Sequence, residues 1–321
     1  VACLLPSRFY SLLGKYSPVL SELNLMNQTA SWRDEYQFPA NYLTVDGHRI
    51  HYVDHQGGDG AEPVLMVHGN PTWSFYYRRL LQNVGDSGRA IAVDHLGCGL
   101  SDKPANYPYR LQNHIDNLCS LIDELDLKNV TLMVHDWGGA IGLGALLARK
   151  DRFKKIILFN TAAFPPPYIP FRIRVCRWPV VGKIGLQGFN LFARAATSMA
   201  TEQKGGLPKV IADGMLAPYD SWSNRIATYK FVKDIPLSKR HPTWSVLENI
   251  ESRLQEVAEW PIMMVWGMKD WCFRPECLDR LQEHWPAAEV YPMADAGHYV
   301  IEDEADQVQH LVEDFLKRHR V

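Results

Sequence analysis

The chain has 321 residues, a formal net charge of −2, and 46% apolar against 22% charged residues. That balance suits one large globular unit with an insertion and excludes a largely disordered chain. Without a basic excess, a general nucleic-acid-binding surface is excluded as well.

The first stretch, VACLLPSRFYSLLGKYSPVL, is broken by Pro6, Arg8, Lys15 and Pro18. It makes a poor secretory leader and reads as a docking or interfacial segment of open function. No run of about twenty apolar residues occurs, so no transmembrane helix is expected. Cys3, Cys98, Cys119, Cys176, Cys272 and Cys277 form no CxxC pair. Reduced thiols in a cytoplasmic protein, with a peripheral membrane location left open, are the expectation.

From about Asn41, NYLTV and RIHYVD predict two strands joined at the turn residues Asp46 and Gly47. The buried run PVLMVHG follows, then a helical stretch after Thr72. RAIAVDH precedes a helix over 111–125; VTLMVHD precedes a small-residue helix over 138–149, and KKIILFN comes next. Short apolar strands alternating with helices predict a parallel sheet covered on both faces. Over 161–237 the alternation gives way to Pro, Gly, aromatics and helical character. It resumes at WPIMMVWG and AEVYPM and ends in a helix over 305–318.

The expected fold is therefore α/β, a mostly parallel eight-stranded sheet covered by helices, with a helical cap inserted after strand 6. Its parts are an N-terminal extension (1–37), two core halves (38–160 and 238–321) and the cap (161–237). Such a cap lies over the carboxyl ends of the strands, where open α/β sheets bind ligands. Between residues 152 and 201 there is no Asp or Glu, while Arg152, Lys154, Lys155, Arg172, Arg174, Arg177, Lys183 and Arg194 are basic. Interleaved with aromatics, these suit an anionic membrane surface or a partner enzyme; a solvated helix face is the plainer reading. His48, His51 and His55 sit on an alternating strand without a metal-binding framework, so no metal is expected.

The sharpest chemical signal is VTLMVHDWGGAIG. A strand ends at His135, a sharp turn carries Asp136, and Gly138 and Gly139 let a helix start at once. This is a nucleophile elbow with Asp in the nucleophile slot. A carboxylate attacking sp3 carbon forms an alkyl ester, where a serine would form an acyl enzyme. His298, in the loop after the last strand, is the expected base. An orienting acid belongs at a strand end; KKIILFNTAAF offers none, MMVWGMKDWCF offers Asp270, and Asp295 reads as a loop residue. In PVLMVHGNPTW, Asn70 follows His68 and Gly69. The backbone N–H groups of Asn70 and Trp137 are expected to face a developing oxyanion, and their side chains to hold a leaving anion. DHLGCGLSDKP, with Asp94, reads as loop structure near the site. No phosphate-binding glycine loop is present and no cofactor is expected.

These residues resemble the α/β-hydrolase superfamily and, within it, the haloalkane dehalogenases, from about Phe38 to the C-terminus. HGNPTW and HDWGG carry the resemblance. It implies Asp136 as nucleophile, His298 as base, Asp270 as acid, and Asn70 with Trp137 as the halide pair. An acid after strand 7 with Asn as halide partner looks like the third dehalogenase subfamily. That subfamily is similar to the β-lactone decarboxylases of bacterial long-chain olefin biosynthesis, and GFNLFARAA, APYDSWSNRIATYKFVKDIPL and MVWGMKDWCF look like that group.

Hydrolysis of a haloalkane to alcohol and halide is the first expectation, and decarboxylation of a β-lactone to an alkene the alternative. Either way the substrate is small and apolar. A long apolar tunnel favours lactones with two alkyl tails, and a small occluded pocket favours short haloalkanes. An epoxide hydrolase would need paired tyrosines, for which Tyr168, Tyr219 and Tyr229 are candidates. A ligand-binding scaffold without turnover would not need nucleophile, acid and base together.

Overall fold

A computed structural model describes residues 31–58 and 62–320. The first thirty residues, which carry most of the expected N-terminal extension, lie outside the described residues. Eight strands form one sheet in the order β1-β2-β4-β3-β5-β6-β7-β8. They are β1 (Asn41–Val45), β2 (His48–Gln56), β3 (Pro63–Val67), β4 (Arg89–Val93), β5 (Val130–Asp136), β6 (Phe153–Thr161), β7 (Ile262–Gly267) and β8 (Glu289–Met293). β2 is antiparallel to both its neighbours, and every other pairing is parallel. The β1–β2 turn has positive φ at both Asp46 (49°) and Gly47 (79°), the backbone that twists a two-residue hairpin correctly.

Side chains along the central strands alternate between two cores, as a sheet buried on both faces requires. Leu65, Val67, Ile91, Leu132, Val134 and Leu158 face one core. There they meet α2 (Leu111–Glu124), α3 (Trp137–Ala148) and α9 (Pro242–Arg253) through Ile115, Ile141 and Leu247. Val64, Met66, Ala92, Met133 and Phe159 face the other. It is closed by α1 (Arg78–Ser87) and α12 (Ala305–Arg318) through Leu81, Val308 and Phe315. The described part of the N-terminal extension joins this second core: Trp32 meets Trp73 edge-on with ring centroids 5.8 Å apart.

Between β6 and β7 the chain forms short helices: α4 (Phe171–Cys176), α5 (Pro179–Gly182), a π-turn (Lys183–Gly188), α6 (Leu191–Met199), α7 (Lys209–Leu216) and α8 (Ile226–Asp234). They close on a small core of their own around Ile173, Leu186 and Val232. Among the described residues no helix is long and apolar enough to cross a membrane.

Chain direction positions the site. β3 pairs with β4 on one side and β5 on the other, so the chain leaves in opposite directions past the carboxyl ends of β3 and β5. A crevice opens at such a switch point. His68–Asn70 and Asp136 flank it.

Candidate active site

Asp136 ends β5 with φ 54° and ψ −129°, a conformation rare for a non-glycine residue. That backbone lifts the side chain above the sheet while α3 begins at the next residue. Close neighbours enforce it: a Cβ on Gly138 would collide with the Val67 carbonyl, and one on Gly69 with the Asp136 carboxylate itself. The Thr161 hydroxyl donates to the Asp136 carbonyl and secures the turn from β6.

The Asp136 carboxylate is buried, with the Asn70 amide N–H donating to Oδ1 at 2.6 Å. Burial pushes its pKa up, opposed by the nearby His298 charge and by the backbone N–H groups of Asn70 and Trp137. The sequence reading pairs those two amides as anion donors, and the structure brings both onto Asp136. They are thus placed for charge that develops on it.

His298 sits in the loop after β8, with Nε2 3.6 Å from Asp136 Oδ2. Its Nδ1 lies 2.7 Å from Asp270 Oδ2. Burial works against the charged imidazole, yet the Asp270 charge and hydrogen bond, with Asp136 beyond, outweigh it and raise its pKa. Phe273 stacks on the ring at 5.6 Å and 17°. Asp270, three residues past β7, is buried, and its Oδ1 accepts the Cys272 amide at 2.6 Å. The structure therefore joins Asp136, His298 and Asp270 in one line from three strand ends. Asp295 lies apart, exposed and paired with Lys269 at 2.9 Å.

Two further residues, which no sequence motif singles out, complete the site. Asn160, near the end of β6, donates through Nδ2 to Asp270 Oδ2 at 3.0 Å. The same amide clamps β7, donating to the Gly267 carbonyl at 3.0 Å and accepting the Gly267 N–H at 2.7 Å. His135 is buried beside the nucleophile, where burial lowers its pKa, and its Nε2 lies 2.9 Å from the His298 carbonyl. A neutral His135 thus donates to the backbone of His298. A strand-end Asn reads as a turn residue until β6 and β7 are known to be neighbours.

The motif around Asp94 is structural. Asp94 accepts the Ser74 N–H at 2.7 Å, the Leu100 N–H at 2.8 Å and His51 Nδ1 at 2.8 Å. Burial opposes its charge, but His51 and these donors bring its pKa down to about 2. His55 pairs instead with Asp86 at 2.8 Å, so the three strand histidines serve separate contacts.

Above Asp136 two cavities meet, of about 120 and 340 Å³. Asn70, Asp136, Ile173, Phe192 and Cys272 line both. One runs past Trp137, Phe164, Val232, Leu247 and Phe273. The other runs past Leu186, Leu191, Ala195, Met199 and His298. Both walls are largely apolar. Asn70 Nδ2 donates to the Thr228 carbonyl at 3.3 Å, while its Oδ1 is buried without a partner among the described residues. That amide is only half engaged by the protein. Of the three candidate tyrosines only Tyr168 lines either cavity; the Tyr219 hydroxyl is spent on the Thr72 carbonyl at 3.0 Å. The three candidates therefore bring no pair to the cavities, although Tyr299, beside His298, lines the second one.

The family model described as alpha/beta hydrolase fold matches residues 62–175 and 186–305. A cis-3-alkyl-4-alkyloxetan-2-one decarboxylase of Shewanella oneidensis is 40% identical, with 87% of this chain and 88% of that protein covered. A protein of the same name from Xanthomonas campestris is 38% identical over 88% of this chain and 98% of its own. Haloalkane dehalogenase 2 of Mycobacterium tuberculosis is 29% identical, over 85% and 93%. Among solved structures, the haloalkane dehalogenase DatA from Agrobacterium tumefaciens C58 superposes with a TM-score of 0.78 at 25% identity, covering 87% of this chain and 96% of its own.

Proposed function

Since the chain belongs to the α/β-hydrolase fold family, we propose that it opens and decarboxylates a β-lactone bearing two alkyl chains, releasing an alkene and carbon dioxide. The observation that carries this reading is the meeting of two apolar cavities at Asp136. A haloalkane has one chain to bury, whereas a 3,4-dialkyl lactone has two on adjacent ring carbons. The decarboxylase relatives at 40% and 38% identity support the same order of preference, which reverses the one drawn from the residues alone.

The chemistry balances without water or cofactor. Asp136 attacks the sp3 ring carbon that bears the ring oxygen, breaking that C–O bond and freeing the substrate carboxylate. Carbon dioxide then leaves; its bonding electrons form the double bond as the ester bond to Asp136 breaks and restores the carboxylate. Inversion followed by anti fragmentation preserves the relative geometry of the two alkyl chains. His298, whose pKa Asp270 raises toward the charged form, sets its Nε2 beside the carboxylate released, where a proton on it would stabilise that charge.

A second reading, haloalkane hydrolysis, is favoured by Asn70, whose Nδ2 gives one N–H to the Thr228 carbonyl and keeps the other for an anion, beside Asp136 and Trp137. There His298 activates water, which attacks the Asp136 carbonyl carbon and leaves an oxygen in the side chain. Multiple turnovers in 18O-water therefore separate the two. The proposal expects alkene and carbon dioxide from a cis-dialkyl lactone, with an unlabelled Asp136 peptide and no turnover in Asp136→Asn. Saturable halide release from a 1-bromoalkane with 18O in that peptide, and no alkene from the lactone, would overturn it.

A further inference from the structure

We infer that the outer face of the helical segment between β6 and β7 docks on an anionic phospholipid bilayer, so that the second cavity opens toward lipid. Ten of the twelve exposed large hydrophobic residues among the described residues fall between Tyr168 and Leu237. Phe171 is 71% exposed, Val180 67%, Phe189 65% and Trp178 54%. Their neighbours Ile173 and Leu186 point inward to the small core with Val232, so α4 and the π-turn keep one side packed and leave this one uncovered.

Cations intersperse this surface. Arg172, Arg174, Lys183 and Arg194 are exposed, and among the described residues none of them is paired with a carboxylate. Two rest on rings instead: Arg172 over Trp271 at 5.5 Å and Lys183 over Trp222 at 5.8 Å. Arg177 differs, being turned inward to the carbonyls of Val232, Lys233 and Ile235. Aromatic rings beside unpaired cations match the boundary between headgroup and acyl chain on an anionic leaflet. An acidic protein would pair the cations but leave large apolar side chains to find a second complement.

The same face borders the second cavity. Arg172, Leu191 and Met199 line that cavity and are also exposed. An apolar molecule dissolved in the bilayer would thus reach Asp136 along apolar side chains without crossing water.

The test is cosedimentation of the full chain with vesicles of phosphatidylcholine containing about a third phosphatidylglycerol, against phosphatidylcholine alone. Wild type should bind the anionic vesicles, weakly the neutral ones, and release at high salt. The combined Arg174→Gln, Lys183→Gln, Arg194→Gln variant should partition on the order of 100-fold more weakly, each cation near the surface contributing about a factor of five. Phe171→Ser with Trp178→Ser and Ile184→Ser should weaken binding at least tenfold. None of these six residues lines either cavity, and melting curves certify the folds. No binding by wild type, or equal binding by both variants, would overturn the inference. So would a change of oligomeric state in the variants without vesicle binding, which would assign the face to a second copy of the chain. No readout uses substrate, so the result stands apart from the reaction proposed for Asp136.

Discussion

Replacing Asn160 by Ala would remove three hydrogen bonds, two to Gly267 and one to Asp270. Asn160 is fully buried, so the Gly267 N–H and carbonyl lose partners and Asp270 loses one donor. Each neutral bond is worth about 1 kcal/mol and a bond to a charged group about 1.5–3 kcal/mol. Taken at the low end, because water can enter the vacated volume, the loss is about 3–4 kcal/mol. At roughly 2 °C per kcal/mol for a domain of this size, the melting temperature should fall by about 6–8 °C. Turnover should fall further than stability explains, on the order of tenfold in kcat with KM little changed, because Asp270 is left freer to swing from His298. Asn160→Asp keeps the shape but places a second carboxylate against Asp270, so one of the two must take a proton. Its turnover should be lower than that of Asn160→Ala. Calorimetry with saturating kinetics would decide. An Asn160→Ala protein within a degree and within twofold of wild type would refute the clamp.

Three further outcomes follow from the geometry. Ala162→Trp and Ala195→Trp fill one cavity each, and each methylene of substrate expelled should cost about 0.8 kcal/mol, or about fourfold in kcat/KM; if one variant spares long-chain lactones, its cavity is not a tail site. The two proposed reactions respond oppositely to His298, whose pKa is raised: decarboxylation should decline as pH rises through that value, hydrolysis should climb, and a pH profile of kcat reads the sign. Gly69→Ala drives a methyl group into the Asp136 carboxylate and should lower turnover at least 100-fold while the rest of the fold holds; wild-type kinetics in that variant would show that Asp136 has room to move.

The sheet was legible because its strands are short apolar runs separated by amphipathic helices, and Asp136 because an Asp between a strand and Gly138-Gly139 has few other uses. The final helix falls on 305–318 as expected. Asn160 was not legible: its amide serves β7 and Asp270, which are 107 and 110 positions away in the chain. Nor were the two cavities. Ile173, Phe192 and Cys272 come from separate segments, and no local pattern says that they converge over one carboxylate. The aromatic and basic residues of the inserted segment were visible as composition. Which of them face outward depends on how α4 and the π-turn pack.

Four histidines, His68, His95 and His135 at strand ends and His114 in α2, are enclosed, and burial depresses the pKa of each, that of His114 to about 3. Each is held neutral in the fold yet takes up a proton once the chain unfolds near pH 6.5. Their contribution is therefore intact above that value and drains away below it, by about 1.4 kcal/mol per pH unit for every histidine that remains neutral. His298, shifted the other way, is protonated in both states below that value, so its own pH dependence falls above this window and leaves the slope unchanged. Where several of them stay neutral together their slopes add, so stability falls more steeply with acid than any one of them would make it. Mild acidity should therefore weaken the fold while its carboxylates are still ionised, through imidazoles sealed inside it rather than through its surface ion pairs.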